Sequence, residues 1–117
     1  PIFPTKNTDA GHRIEGIGDS FVPMILDLAA LGSPLSIKDS DAINIGRQLN
    51  KLGLSTGISS GANIFGALCK TQNDPGVLTV GTILCDDNKK YLSTDLCSES
   101  PEHLSKDIKI IDFKKIA

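Results

Sequence analysis

The stretch from Leu54 to Asn63 limits the possible folds more than any other, because its apolar period changes from strand to helix within about five residues. Leu54 to Thr56 reads as a short buried strand, and Ala62, Phe65, Leu68 and Cys69 then recur at helical spacing. A βα turn lies between them. Gly57 and Gly61 let the backbone bend sharply and approach a neighbour closely, while Ser59 or Ser60 can cap the helix. The N–H groups of its first turn then face the carboxyl end of the strand, where α/β sheets bind ligands. Two serines that only cap a packing helix would satisfy the same pattern.

The segments on either side extend this alternation. Pro1 to Gly18 sustains neither period and is expected to be a long loop, ending in His12-Arg-Ile-Glu-Gly-Ile-Gly18 with two glycines suited to close backbone approach. In isolation, His12 reads as a hydrogen-bonded structural residue and Glu15 as a solvated or capping carboxylate. Ser20 to Leu31 places Phe21, Met24, Ile25, Leu28 and Leu31 at three- and four-residue steps, which predicts a short core-facing helix stopped at Gly32. Leu35 to Lys38 is expected as an edge strand after Pro34, with Leu35 and Ile37 on one face. Asp39 or Ser40 would cap the next helix, whose stripe is Ala42, Ile45, Leu49 and Leu52, with Arg47, Asn50 and Lys51 outside and Gly53 as its stop.

Beyond the central helix and the turn-rich Thr71 to Gly76, Val77 to Cys85 is the most apolar run and is β-branched at several positions. It predicts a central parallel strand buried on both faces. Two βα steps in succession predict an α/β fold, a three-layer αβα arrangement with a mostly parallel sheet. Asp86-Asp-Asn-Lys-Lys90 would close the carboxyl end of that strand. Its two aspartates beside two lysines read as self-neutralised surface rather than a divalent-cation site, so no metal is expected. Tyr91 to Leu96 reads as a short helix or turn, and Ile108 to Phe113 as a terminal edge strand.

Composition excludes several classes. With 117 residues the chain forms one domain or part of one. Twelve basic against fourteen acidic residues, no Trp and one Tyr leave neither a basic nor a stacking footprint, so no nucleic-acid partner is expected. No apolar run approaches the roughly 18 residues of a membrane span, and there is no secretory leader, which predicts a cytoplasmic chain without a membrane partner. Cys69, Cys85 and Cys97 are odd in number and lack CxxC spacing, so they are expected as buried or half-buried free thiols. The chain opens on Pro1, which points to a processed product or a fragment.

Three blocks together resemble the cysteine synthase family of fold-type II pyridoxal-phosphate enzymes, which includes the cystathionine β-synthases. They are His12-Arg-Ile-Glu-Gly-Ile-Gly-Asp-Ser-Phe-Val-Pro23, Gly57-Ile-Ser-Ser-Gly-Ala62 and Asp86-Asp-Asn-Lys-Lys-Tyr-Leu-Ser-Thr94. Their order and separation match the family's H-K-I-Q-G-I-G-like loop, G-I-S-S-G-A turn and G-E-R-Y-L-S-T-like segment. The resemblance implies that residues 1–117 are the C-terminal portion of the large, cofactor-binding domain. It implies pyridoxal 5'-phosphate as cofactor, with Ser59 bonded to the pyridine nitrogen, Ser60 beside it, and Asp86 near the pyridine edge. Glu15, Gly16, Ile17 and Gly18 would line the substrate side. The segment from Lys89 to Thr94 looks structural.

The resemblance further implies β-elimination and β-replacement on a serine-derived amino acid. Glu15 stands where plain cysteine synthases carry Gln and cystathionine β-synthase-like members carry an acid, so the nucleophile stays open between them. The family's Schiff-base lysine, substrate-carboxylate loop and phosphate cup would all precede Pro1. On this reading no catalytic residue lies in the chain, and the chain alone is inactive. A partial sheet would associate with copies of itself, and the resemblance implies a homodimeric parent. The alternative is a non-catalytic α/β interaction module, or one half of a split enzyme completed by a partner chain.

Overall fold

The computed structural model describes residues 14, 22–94, 96–97, 104, 106 and 108–112. The chain divides into two units, Pro1–Ser36 and Ile37–Ala117. In the first, Ile14 is buried, whereas the helix expected over Ser20 to Leu31 does not form across its described part. Only a 3-10 turn at Leu28–Ala30 is present, and Met24 and Ile25 stand 103% and 95% exposed. The Asp27 side chain accepts from Ala29 N at 3.0 Å, a local bond that competes with continuing an α-helix.

The second unit is built on two helices, α1 (Asp39–Lys51) and α2 (Ile58–Asn73). The N-cap of α1 is Lys38, without a side-chain capping bond, so Asp39 and Ser40 fall inside the helix rather than before it. Asp39 and Asp41 in the first turn and Lys51 in the last still complement the helix dipole. Gly53 ends it at φ +90°, in the left-handed region that glycine enters without a Cβ penalty. Ile45 and Leu49 of α1 meet Phe65 and Cys69 of α2, and Ile37, Leu54, Ile64, Leu68, Ile108 and Ile110 pack against this cluster. Burying each such large side chain contributes about 1.5–3 kcal/mol. Ala42 is buried as expected, but Asp41, Ile43 and Gly46 are too, so α1 is covered over a wider arc than one stripe.

The helices cross closely because Gly61 lacks a side chain. A Cβ there would collide with the Ala42 carbonyl and lie 3.0 Å from Gly46 N. At the same crossing, a Cβ on Gly46 of α1 would lie 2.9 Å from Leu96 Cδ1. Leu96 is itself buried, and its carbonyl accepts from Arg47 Nε at 3.3 Å.

The sheet is where the sequence-based expectation and the structure part. Among the described residues there is no β-strand: Leu35–Lys38, Leu54–Thr56, Val77–Cys85 and Ile108–Asp112 run without ladder pairing. The expected central strand is largely uncovered, with Leu78 92% and Ile83 72% exposed. A strand buried on both faces requires neighbours on each edge and a layer on each side, and its own composition supplies neither. The thiols follow the same logic: Cys69 is buried in the helix pair, while Cys85 and Cys97 are exposed rather than covered.

Side chains take over part of the ladder's work. Gln48 on α1 donates from Nε2 to Ile108 O at 2.8 Å and accepts from Ile110 N on Oε1 at 2.6 Å, as a facing strand would. Asn63 on α2 donates to Ile83 O at 2.9 Å. Phe113, the last residue of the expected terminal strand, lies outside the described residues.

Candidate functional site

The turn into α2 is fixed from both sides. Asn50, near the end of α1, accepts from Thr56 N at 2.8 Å and donates to Thr56 O at 3.4 Å. The serines do not cap the helix as expected. The N-cap is Gly57, and Ser59 and Ser60 fall in the first turn with their hydroxyls directed to the segment after residue 84. Ser60, fully buried, accepts from Cys85 N at 3.0 Å and donates to Asp86 O at 3.4 Å. Its hydroxyl is thus consumed in tying the helix to the chain beside it.

Gly57 N donates to Asp86 O at 3.0 Å, which brings the Asp86 side chain over the turn. A Cβ on Gly57 would collide with the Asp86 carboxylate and lie 2.6 Å from Tyr91 Cε2. Since Gly57 has φ −82°, contact rather than backbone conformation demands glycine here. The carboxylate is anchored by Tyr91, whose buried phenol donates to Asp86 Oδ2 at 2.6 Å. Lys90 reaches the same oxygen at 4.0 Å from a largely exposed position and adds little. The other oxygen, Oδ1, accepts from Ser59 Oγ at 3.4 Å, a long bond.

Ser59, Ser60 and Asp86 therefore converge at the first turn of α2, within one unit. Glu15, Gly16, Ile17 and Gly18, together with His12, lie outside the described residues. Sequence reasoning missed Tyr91 as a participant, placing it in a structural segment. The available signal was that the chain's single tyrosine stands five residues after Asp86, across a turn that Asp87 nucleates by accepting from Lys89 N at 2.8 Å. Among the described residues no group of three His, Cys, Asp or Glu side chains is placed to hold a metal ion, and no helix is long and apolar enough to cross a membrane.

No protein-family model matches the chain. It is 43% identical over 94 residues to cysteine synthase B of Campylobacter jejuni, covering 79% of this chain and 30% of that protein. It is 37% identical over 91 residues to cysteine synthase A of Escherichia coli, covering 75% of this chain and 28% of that protein. In structure it is similar to a hydrogen sulfide-producing enzyme of Fusobacterium nucleatum, with a TM-score of 0.71 and 48% identity over 80% of this chain and 28% of that one. The chain belongs to the cysteine synthase family, whose resemblance its three sequence blocks carry. It spans under a third of the length of these relatives.

Proposed function

We propose that this chain is the C-terminal part of the cofactor-binding domain of a pyridoxal-phosphate enzyme that carries out β-elimination and β-replacement on a serine-derived amino acid. The observation that supports it best is the state of Ser59: a half-buried hydroxyl on the first turn of α2, engaged among the described residues by a 3.4 Å bond alone. Ser60 beside it is fully committed to the backbone of Cys85 and Asp86. One serine is structural and its neighbour is available, as a ring-nitrogen partner has to be.

The donor set fits the pyridine edge of the cofactor. Ser59 is a neutral hydroxyl that can donate to or accept from one ring nitrogen, and the missing Cβ of Gly57 leaves the turn room only for the Asp86 carboxylate. Bound there, the cofactor supplies an electron sink for the substrate's Cα. Ser59 orients the ring and, being uncharged, holds that sink weaker than a direct carboxylate partner would, which favours replacement at Cβ over transamination. Ser60 keeps Ser59 at the right height by locking the helix start to residues 85 and 86. Glu15, Gly16, Ile17 and Gly18 line the substrate side, and lysine and phosphate-binding groups come from the remainder of the enzyme.

In that enzyme Leu54–Thr56 and Val77–Cys85 are strands of a mostly parallel sheet within a three-layer αβα domain. The exposed faces of Leu78 and Ile83 support this, since both are the covered kind of residue. The enzyme is a homodimer acting on small-molecule substrates. The test is Ser59→Ala in the full-length enzyme, assayed for β-replacement on a β-substituted serine and for the visible band of bound cofactor. Turnover should fall at least about tenfold with cofactor still bound. Unchanged turnover would remove Ser59 from this role.

A further inference from the structure

We propose that residues 77–85 pair edge to edge with the same residues of a second copy of this chain, antiparallel about a two-fold axis at Gly81, and so close a dimer. In the larger enzyme proposed above, the remainder of that enzyme supplies this segment with its neighbours. For the 117-residue chain a second copy does.

The segment Val77-Leu-Thr-Val-Gly-Thr-Ile-Leu-Cys85 carries no charge and no proline, and residues 78–85 are all exposed. Among the described residues, no hydrogen bond reaches the backbone of residues 78–82 or of Leu84. One edge is partly taken. Asn63 Nδ2 donates to Ile83 O at 2.9 Å, and Cys85 N donates to Ser60 Oγ at 3.0 Å, so two groups two residues apart both face α2. In an extended chain the backbone groups of alternate residues point to opposite edges. Those of Leu78, Val80, Thr82 and Leu84 therefore point away from the helix. They form an open edge of the kind that templates pairing with another chain, and neither a charge nor a proline blunts it.

This edge is complementary to itself. With Gly81 opposite Gly81 of the second copy, Leu78 faces Leu84 and Val80 faces Thr82 across the pair, each exchanging its backbone bonds. On the other side of the ribbon, Thr79 faces Ile83 and Val77 faces Cys85, and no like charges meet anywhere. The register is pinned from both ends. A slip of two residues one way brings Leu78 opposite Asp86, and a slip the other way brings Cys85 opposite Pro75. Because α2 holds the second edge at residues 83 and 85, the pair closes instead of propagating.

The pairing leaves the core untouched, since the buried cluster of α1 and α2 and the residues packed on it include none of residues 77–85. A Cβ at Gly81 would meet nothing within 4 Å, so this position can be substituted without disturbing the fold. The test uses the 117-residue chain carrying Cys85→Ser and Cys97→Ser, which leaves only the buried Cys69. Facing residues of a non-hydrogen-bonded antiparallel pair have Cα atoms about 4.5 Å apart, within disulfide reach. Gly81→Cys should therefore crosslink to itself under oxidised glutathione. Leu78→Cys, at least as exposed but at opposite ends of the pair, should not. Sedimentation over a range of concentrations should show a monomer–dimer equilibrium, and Gly81→Lys, which sets like charges face to face, should weaken it at least about fivefold. A monomer at every concentration, open-ended assemblies, a dimer indifferent to Gly81→Lys, or equal crosslinking of the two cysteine variants would overturn the proposal. None of these readouts involves the cofactor, so their failure leaves the role of Ser59 to its own test.

Discussion

Asn50 satisfies both backbone groups of Thr56, accepting from its N–H at 2.8 Å and donating to its carbonyl at 3.4 Å. Thr56 is fully buried, so no water is available to replace either bond. A single side chain near the end of α1 thereby sets the path of the chain into α2 and, through Gly57, the position of Asp86. Asn50→Ala should destabilise the chain by about 2–4 kcal/mol in denaturant unfolding, since two buried groups lose their partners at once. Asn50→Asp keeps the acceptor and loses the donor, and should cost about half as much. Amide hydrogen exchange at Thr56 separates the two variants, because only the alanine variant exposes that N–H.

The same residue carries the opposite opportunity. Among the described residues, Thr56 Oγ1 is buried without a hydrogen-bond partner. Replacing it with the isosteric methyl removes an unsatisfied polar atom and leaves the packing volume nearly unchanged. Thr56→Val should raise stability by about 1 kcal/mol, read as a higher urea midpoint at constant m-value. A lower midpoint would mean that the hydroxyl has a partner in solution.

These relationships bear on how much a sequence of this kind discloses. Both long helices were legible, because helical period is a local property and Ala42, Ile45, Leu49, Phe65 and Cys69 write it without reference to anything distant. The convergence of Ser59, Ser60 and Asp86 was legible through the family pattern. The polar residues that make it rigid were not. By sequence Asn50 lies outside the apolar stripe of α1 and Tyr91 in a segment that looks structural, since nothing in the local pattern distinguishes a surface amide from one that replaces a missing strand. The strand expected over Val77–Cys85 has no ladder partner among the described residues for the converse reason: β-branched apolar residues state a preference for a sheet, but the pairing that realises it is non-local.

The helix crossing depends on Gly61. A Cβ there would run into the Ala42 carbonyl and press on Gly46 N at 3.0 Å, and both are backbone that cannot rotate aside. Gly61→Ala forces α1 and α2 apart and should cost about 1–3 kcal/mol or more despite alanine's better helix propensity. Gly66→Ala on the same helix is the control. Its Cβ would meet only Ile37 Cδ1 at 3.2 Å, the far end of a flexible side chain. Thermal unfolding of the two variants should therefore differ markedly.

Gln48 holds the terminal extended segment by imitating a strand edge, with Nε2 to Ile108 O and Oε1 from Ile110 N. Gln48→Glu retains the acceptor for Ile110 N and loses the donor for Ile108 O. Gln48→Ala loses both. Limited proteolysis should release residues after 106 fastest in the alanine variant, with the glutamate variant between it and wild type. Equal rates in all three would show that Ile108 and Ile110 are held by packing against the helix pair alone.

The last prediction concerns the lysines. Covalent catalysis with pyridoxal phosphate requires one amine placed against the cofactor's aldehyde, and on the proposed reading neither Lys6, Lys38, Lys51 and Lys70 nor the later lysines are that amine. Lys70 is 56% exposed and paired with Asp74 at 3.4 Å, and Lys90 is 74% exposed. Exposed ammonium groups of this kind react without preference among themselves. Incubating the 117-residue chain with pyridoxal phosphate, reducing with borohydride and mapping the product by mass spectrometry should give scattered or absent labelling. Addition of the complementary part of the enzyme should shift the label to a lysine of that part. A single labelled lysine within this chain, with a distinct visible band, would instead mean that these residues build a complete cofactor site of their own.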